Sequence, residues 1–355
     1  MRYVPTDNLT EGMTLGKPLY GERGELMLEK GKALSENLIK LIGRQKYSGL
    51  YIEDDISKGI EIKDVVSDEV RNKMMTSVRR LMTDAQYNKY SNFRKDMHQI
   101  QKFLEQIIDE IAKSDSIVNL VDIKQFDLYT YQHSVNVCVL SCILGKVYEM
   151  PRQRILKLAW AAILHDIGKV LVDKALLNKP GKFTKEEFDA IKEHTTLGFN
   201  LIKRKCRLPH VVPLSVLQHH EKYDGSGYPL GRKEHEITLF AQIISVVDVF
   251  DAITSKRPYH EAILPSEAYE FILGNSGQAF RPDVVEKFVK KIAPFPLGVQ
   301  VQLSNGMKGV VFKNHEENLS RPVVKIFPEA GQEEVYIDLH NDTGAYNVTI
   351  QKVYT

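Results

Sequence analysis

Apolar positions change their period along this chain. Over the first ~65 residues, short apolar pieces such as Leu26–Leu28 and Leu50–Ile52 are punctuated by Gly12, Gly16, Gly21, Gly24 and Gly31, the texture of strands and turns. Ser35 precedes Leu38, Ile39, Leu41 and Ile42, which keep helical spacing up to Gly43, so a capped helix is expected there. From Ser67 to Lys113 no Gly or Pro interrupts a helical pattern. Within it Met97, Ile100, Leu104, Ile107 and Ile111 step by three and four residues, the spacing of a coiled-coil seam. Two readings of that stripe stay open: a linker helix packed on its own domain, or the seam of a homodimer. After Pro294 and Pro296 the runs Val299–Leu303, Val310–Phe312, Val323–Phe327 and Val335–Leu339 alternate with Asn-Gly, Arg-Pro and Ala-Gly turns, predicting a small β appendix.

The predicted architecture is mainly α. A small mixed α/β N-terminal domain (1–66) and a linker helix region (67–113) precede a helical bundle (114–293) and the β appendix (294–355). With 48 Lys+Arg against 46 Asp+Glu, the charge is nearly balanced, which removes bulk electrostatics as an argument for DNA or RNA binding. Apolar content of 43% with 26% charged residues argues for a packed globular chain and against disorder. The three cysteines, Cys138, Cys142 and Cys206, cannot all pair, which suits a reducing compartment. No apolar run reaches membrane-spanning length, since Ile155–Val172 contains Lys157, His165 and Asp166, and the start lacks the apolar core of a signal peptide. A cytoplasmic protein is the expectation.

The bundle segment places polar residues where helices need apolar ones. His133 shares a helical face with Val137, Leu140 and Leu144, and His165 follows Leu158 and Ala161. His194 lies with Ile191, Leu197 and Leu201, and His219 follows Val212 and Val216 with His220 beside it. One histidine on such a stripe is usually a satisfied core residue. Five in under a hundred residues, from different helical patterns, are hard to explain as packing, and neutral imidazole is a frequent metal ligand. Asp166 follows His165 directly, and Asp248 sits in the run Leu239–Ile253, whose only charges are Asp248 and Asp251. A buried carboxylate needs a compensating charge or takes up a proton. A divalent metal supplies that charge and occupies the histidines as well. Neighbours on a helix point about 100° apart, so a helical His165-Asp166 pair could serve two metals with the carboxylate between them.

His133-Ser-Val-Asn136-Val137, His165-Asp166-Ile-Gly168-Lys169, and Lys179-Pro180-Gly181 with His194 and Gly198 downstream resemble successive motifs of the HD superfamily of metal-dependent phosphohydrolases. The run His219-His220-Glu221-Lys222-Tyr223-Asp224-Gly225-Ser226-Gly227-Tyr228-Pro229 is similar to the signature of the HD-GYP subfamily. Asp248-Val-Phe-Asp251-Ala252-Ile-Thr254 and Arg257-Pro258-Tyr259 match the segment that follows in that subfamily. The likeness covers residues 114–293, about half of the chain, with its motifs in order and in register.

The resemblance implies hydrolysis of cyclic di-GMP to linear pGpG, and onward to GMP in some members, by a two-metal-activated hydroxide. It implies one metal at His133, His165, Asp166 and Asp248, and a second at Asp166, His194, His219 and His220, with iron or manganese as the ion. Asp166 and Lys169 would be catalytic, the lysine supporting charge on the phosphate. Lys169, Asp224, Gly225, Gly227, Tyr228, Arg257 and Tyr259 would contact substrate, and Asp251 or a water would protonate the leaving oxygen. Two rival readings remain: a cyclic di-GMP receptor without turnover, and a phosphohydrolase for another cyclic dinucleotide. Arg281 and His260 depart from the family pattern at positions outside the ligand set. Some relatives hold a third metal with a Glu one turn before the first histidine. Here that place is Tyr129, and Asp127 lies on another face, so two metals are expected.

Overall fold

The computed structural model describes residues 1–21, 25–45, 47–89, 92–114, 117–118, 129–177, 179, 181–255, 263–327 and 334–354. At the N-terminus, β1 (Arg2–Pro5), β2 (Thr14–Leu15), the hairpin β3 (Leu19–Tyr20) and β4 (Leu26–Leu28), α1 (Glu36–Arg44) and β5 (Gly49–Glu53) enclose a small core. β5 is the central strand, antiparallel to both β1 and β2, and buries Leu50 and Ile52 against Val4, Leu15, Leu34 and Ile42. Ser35 caps α1, its hydroxyl accepting from the Leu38 amide at 3.4 Å. The helix runs one residue past Gly43.

The region expected as one linker helix is two. α2 (Asp68–Gln86) and α3 (Phe93–Lys113) pair as an antiparallel hairpin, with Ser67 bonded to Glu110 at one end and Arg80 to Asp96 near the other. Neither Gly nor Pro makes the break. After α2, Asn88 takes φ 55°, a left-handed conformation that Asn tolerates better than most residues. The stripe offered as a dimer seam is consumed inside the chain: Ile100, Leu104 and Ile107 are fully buried in the core that also holds α2 and the helical bundle. Pairing with the chain's own helices satisfies the same apolar spacing that a second copy would have used.

The bundle comprises α4 (Tyr129–Val147), α5 (Arg152–Ile163), α6 (Lys174–Leu177), α7 (Lys185–Lys192), α8 (His194–Lys205), α9 (Val211–Gln218), α10 (Leu239–Thr254), α11 (Pro265–Gly274) and α12 (Pro282–Val289). α4 packs between α5 and α10 through fully buried residues such as Val137, Leu140 and Leu144. Val118 closes the domain on itself, its amide donating to Lys291 O at 2.9 Å and its carbonyl accepting from the Ala293 amide at 3.1 Å. Among the described residues, no helix is long and apolar enough to cross a membrane.

The β appendix is a five-stranded antiparallel sheet of β6 (Gln300–Leu303), β7 (Lys308–Lys313), β8 (Val323–Ile326), β9 (Tyr336–Asp338) and β10 (Ile350–Tyr354), in the order β10-β6-β7-β8-β9. It does not stand alone. Tyr3, Tyr51, Ile60 and Ile62 of the N-terminal domain bury themselves with Val310 of the sheet, and the Tyr3 amide donates to Gly298 O at 2.9 Å. A cavity of about 850 Å³ lies at this seam, lined by Glu61, Lys63, Ile117, His315, Glu317 and His340 among others.

Candidate metal centre

Several elements deliver the seven ligand candidates to one buried point. α4 supplies His133, α10 supplies Asp248, His194 opens α8, and His219 with His220 follows α9. The His165-Asp166 pair lies in the turn between α5 and a short 3-10 segment (Ile167–Leu171), not on a helix as the 100° argument assumed. The turn is what lets both side chains face the same centre. Gly168 presses this turn onto α8: a Cβ there would sit 1.9 Å from His194 O, so only glycine permits the approach.

Asp166 divides the set. Its Oδ2 lies 3.3 Å from His165 Nε2 and 3.9 Å from His133 Nε2, whereas its Oδ1 lies 3.6 Å from His194 Nε2 and 4.0 Å from His219 Nε2. Asp248 Oδ1 adds to the first group, 3.0 Å from His133 Nε2 and 3.9 Å from His165 Nε2, and its Oδ2 is 3.9 Å from His220 Nδ1. Ligand atoms that share one ion at bond lengths near ~2.1 Å stand roughly 3–4 Å apart, which is the range seen here.

Hydrogen bonding fixes which imidazole nitrogens are available. The Nδ1 atoms of His165, His194 and His219 each meet the backbone carbonyl three residues earlier, Ala162, Ile191 and Val216, at 2.7, 2.7 and 2.6 Å. A carbonyl accepts only, so each Nδ1 carries the hydrogen and each Nε2 presents a lone pair to the centre. His194 Nε2 and His219 Nε2 face each other at 3.4 Å. Among the described residues, His165 Nε2 and Asp166 Oδ1 are buried and find no hydrogen-bond partner. Converging lone pairs and orphaned acceptors at full burial are unfavourable on their own and are resolved by a cation. The donor set therefore fits divalent metal ions, with mixed imidazole and carboxylate ligation.

Electrostatics agree. Burial drives His194 down to about 4 and His220 down to about 3, and holds His219 well below its ordinary value, so these imidazoles are neutral at pH 7. For Asp166 burial acts upward, but the Lys169 ammonium and the surrounding imidazoles hold it well below the usual carboxylate range. Asp248 is held low against burial by His133. For His133 burial acts downward, yet Asp248 and Asp251 together raise it to about 9. It sits between two carboxylates, a place that calls for positive charge.

The expected substrate residues divide. The Lys169 ammonium is one-third exposed and bonded to Asp166 Oδ2 at 2.6 Å, at the edge of the centre. The Tyr228 ring lies 4.8 Å from that of His220, and its phenol is pushed upward by burial and by Asp248 and Asp166, so it remains a hydroxyl. Asp224 points elsewhere: its carboxylate is exposed and accepts the Ser226 amide at 2.8 Å, bracing its own loop. Gly225 and Gly227 serve that loop too, and a Cβ on Gly227 would lie 2.2 Å from Lys222 N, so the close approach is to the chain's own backbone. Arg257, Tyr259, His260 and Asp127, and the side chain of Tyr129, lie outside the described residues.

Asp251, one candidate donor to a leaving oxygen, lies against the back of His133. Its Oδ2 lies 2.7 Å from His133 Nδ1 and its Oδ1 accepts from Asn136 Nδ2 at 3.0 Å, so it orients a ligand. Sequence reading also passed over Glu221, whose buried carboxylate accepts the amides of Leu230 at 2.7 Å and Arg232 at 3.0 Å and so ties down the loop carrying Tyr228. A charged residue directly after two ligand histidines was the available signal for it.

Residues 115–284, the helical bundle that gathers these histidines and aspartates, match the family model described as "HD domain". The chain is 39% identical over 227 residues to cyclic di-GMP phosphodiesterase PA4108 of Pseudomonas aeruginosa, covering 62% of this chain and 54% of that protein. It is 34% identical over 235 residues to a cyclic di-GMP phosphodiesterase of Thermotoga maritima, covering 64% of this chain and 63% of that protein. The alignments thus leave more than a third of each relative unmatched. Among solved structures, Bd1817, an HDG"Y"P protein from Bdellovibrio bacteriovorus, shares the fold with a TM-score of 0.50 at 15% identity, over 81% of this chain and 97% of that one.

Proposed function

We propose that this chain is a metal-dependent phosphodiesterase that hydrolyses cyclic di-GMP to linear pGpG, acting in the cytoplasm with iron or manganese as its ion. One observation carries the reading: the two oxygens of the fully buried Asp166 face two different sets of ligand atoms. His133, His165 and Asp248 would hold one ion with Asp166 Oδ2. His194, His219 and His220 would hold the other with Asp166 Oδ1. When bound, such a pair supplies Lewis acidity at the phosphodiester and an acidified water as nucleophile.

The chain's own residues do the rest. Lys169 stands at the rim with its ammonium free to turn from Asp166 toward the incoming phosphate, where it offsets developing negative charge. Tyr228 offers a hydroxyl on the open side, beside the partly exposed His220. Glu221 holds their loop in place. Because Asp251 is committed to His133 and Asn136, the leaving oxygen takes its proton from water. Residues 1–66 and 294–355, which pack on each other, form a regulatory module beside the catalytic segment 114–293, joined through 67–113. Homodimerisation, if it occurs, uses a surface other than the Ile100–Leu104–Ile107 stripe, which is buried.

Elemental analysis of anaerobically purified protein, paired with chromatography of products from cyclic di-GMP and from a mixed cyclic dinucleotide, tests this reading. Two equivalents of metal with release of pGpG are expected. Metal-replete protein that binds cyclic di-GMP without any product would replace the enzyme with a receptor. Turnover of the mixed dinucleotide alone would replace the substrate.

A further inference from the structure

Arg71 lies on α2, outside the matched HD segment, yet three hydrogen bonds lead from it to a ligand of the centre. Its Nη1 donates to Asn136 Oδ1 at 3.0 Å, Asn136 Nδ2 donates to Asp251 Oδ1 at 3.0 Å, and Asp251 Oδ2 meets His133 Nδ1 at 2.7 Å. Asn136, Asp251 and His133 are all buried. We propose that Arg71 is a positioning residue for His133, setting the polarity of this relay so that His133 spends Nδ1 on Asp251 and turns Nε2 toward the metal centre.

The argument is one of donors and acceptors. A guanidinium only donates, so the Asn136 amide must present its oxygen to Arg71. Its NH2 group then turns toward Asp251, whose carboxylate only accepts. Turned over, the amide would set donor against donor at Arg71 and acceptor against acceptor at Asp251. With Asn136 fixed, Asp251 is held by one oxygen and receives the His133 Nδ1 hydrogen on the other. That leaves Nε2, the atom 3.0 Å from Asp248 Oδ1 and 3.9 Å from Asp166 Oδ2, as the nitrogen on which a metal would take the place of a proton. His165, His194 and His219 get the same result from a rigid backbone carbonyl. His133 alone among these four relies on side chains for it, and the last of them comes from the α2–α3 hairpin. Packing of α2 on the bundle does not depend on the guanidinium, since Met74, Met75 and Val78 already bury the contact face.

The inference rests on the metal-centre reading, and the test separates the two. Full-length protein is stripped of metal and titrated with Mn²⁺ alone, free Mn²⁺ being followed by electron paramagnetic resonance. Fluorescence of the single tryptophan, Trp160, buried in α5, verifies folding of every variant. Arg71→Met, which keeps the apolar stem, should weaken the tightest site ~10-fold, the lower end for loss of an outer-sphere partner. Arg71→Lys, which retains a donor, should recover most of that loss. The double variant Arg71→Met/Asn136→Ala should bind no more weakly than Asn136→Ala alone, because Arg71 acts only through Asn136. Lys73→Met, an exposed cation lost from the same helix, should bind as wild type. Wild-type affinity in Arg71→Met, equal losses in the Met and Lys variants, or additive losses in the double variant would overturn the proposal. Wild-type protein with no tight Mn²⁺ site would overturn the metal-centre reading itself and the relay with it.

Discussion

Among the described residues, two histidine–aspartate clusters stand out, and of the two the one in the bundle is built to hold a metal. At the bundle centre, Nδ1–H groups are spent on backbone carbonyls or Asp251, and the Nε2 atoms converge on Asp166 and Asp248. At the seam between the N-terminal domain and the C-terminal sheet, His315 and His340 stack at 5.2 Å beside Asp338 and Glu317. There the carboxylate is fully used. Asp338 Oδ1 accepts from His315 Nε2 at 2.9 Å and from the amides of His340 and Asn341 at 3.0 Å, and Oδ2 accepts from Asn341 Nδ2 at 3.0 Å. Glu317 stands almost wholly in solvent, 3.7 Å from His340. Residue type and proximity are similar in the two places. What differs is whether acceptors are left over after the protein's own donors are counted.

The strongest test of that difference is the loss of one carboxylate from each cluster. Asp166→Ala should abolish hydrolysis of cyclic di-GMP and reduce bound metal below two equivalents, since it removes the group facing both ligand sets and leaves the buried imidazoles without their shared anion. Asp338→Ala should leave metal content and turnover as in wild type. Equal metal loss in both variants, measured by elemental analysis of the dialysed proteins, would erase the distinction. At the rim the expected effect is smaller. Lys169→Ala should lower kcat by on the order of 10²–10³-fold, the usual result of removing one donor to transition-state charge, while metal content stays full. A variant that loses metal instead would show that the 2.6 Å contact with Asp166 is part of the centre's construction.

Acid separates the clusters further. In metal-stripped protein, burial holds His194 near 4 and His220 near 3, while the unfolded chain protonates both near 6.5. Between those values the unfolded state binds more protons, so the stability that these two imidazoles contribute is full above 6.5 and is lost as pH falls through 4 toward 3. His133, raised to about 9, does not offset this: its contribution is full below 6.5 and declines only as pH rises through 9. At the seam Asp338 is lowered from 3.8 to about 2, burial being outweighed by its Asn341, His340 and His315 donors, so its contribution persists down to 3.8 and is lost toward 2. Trp160 emission should therefore report loosening of the bundle at pH values where amide exchange in β8 and β9 is still slow. Simultaneous loss of both signals near pH 3 would contradict this ordering.

Much of the centre was legible because its ligands break the rule that their positions obey. His133, His194, His219 and Asp248 stand on stripes that otherwise read Val, Leu and Ile, and a polar residue there demands a reason. The role of Asp251 was not legible. Asp248 and Asp251 stand three residues apart on one apolar helix, and only the placement of α4 makes the first face the centre and the second the back of His133. The spacing of Ile100, Leu104 and Ile107 specified a helix face but not its partner, because an antiparallel hairpin and a dimer need the same stripe. The break at Asn88 carried no Gly or Pro to mark it. β10 was missed because Gln351 and Lys352 separate Ile350 from Val353, and the register shift between Ile350 and Lys352 disrupts strict alternation.

The smallest effect expected concerns the seam itself. If His315 serves only to complete the donors around Asp338, then His315→Ala leaves that carboxylate with the amides of His340 and Asn341 and the Asn341 side chain. The loss is then one hydrogen bond at a partly exposed site, about 0.5–1.5 kcal/mol. Urea unfolding followed by far-ultraviolet circular dichroism should show that modest decrease, with Trp160 emission, metal content and turnover unchanged. A larger loss, several kcal/mol, would mean that the imidazole supports the packing of Tyr3, Tyr51 and Val310 between the terminal domains. A fall in metal content would mean that the seam, against its hydrogen-bond accounting, holds an ion after all. The predicted outcome follows from the same reasoning that assigns the centre: where every acceptor already has a donor, removing one donor weakens a turn and leaves the distant lone pairs of Asp166 untouched.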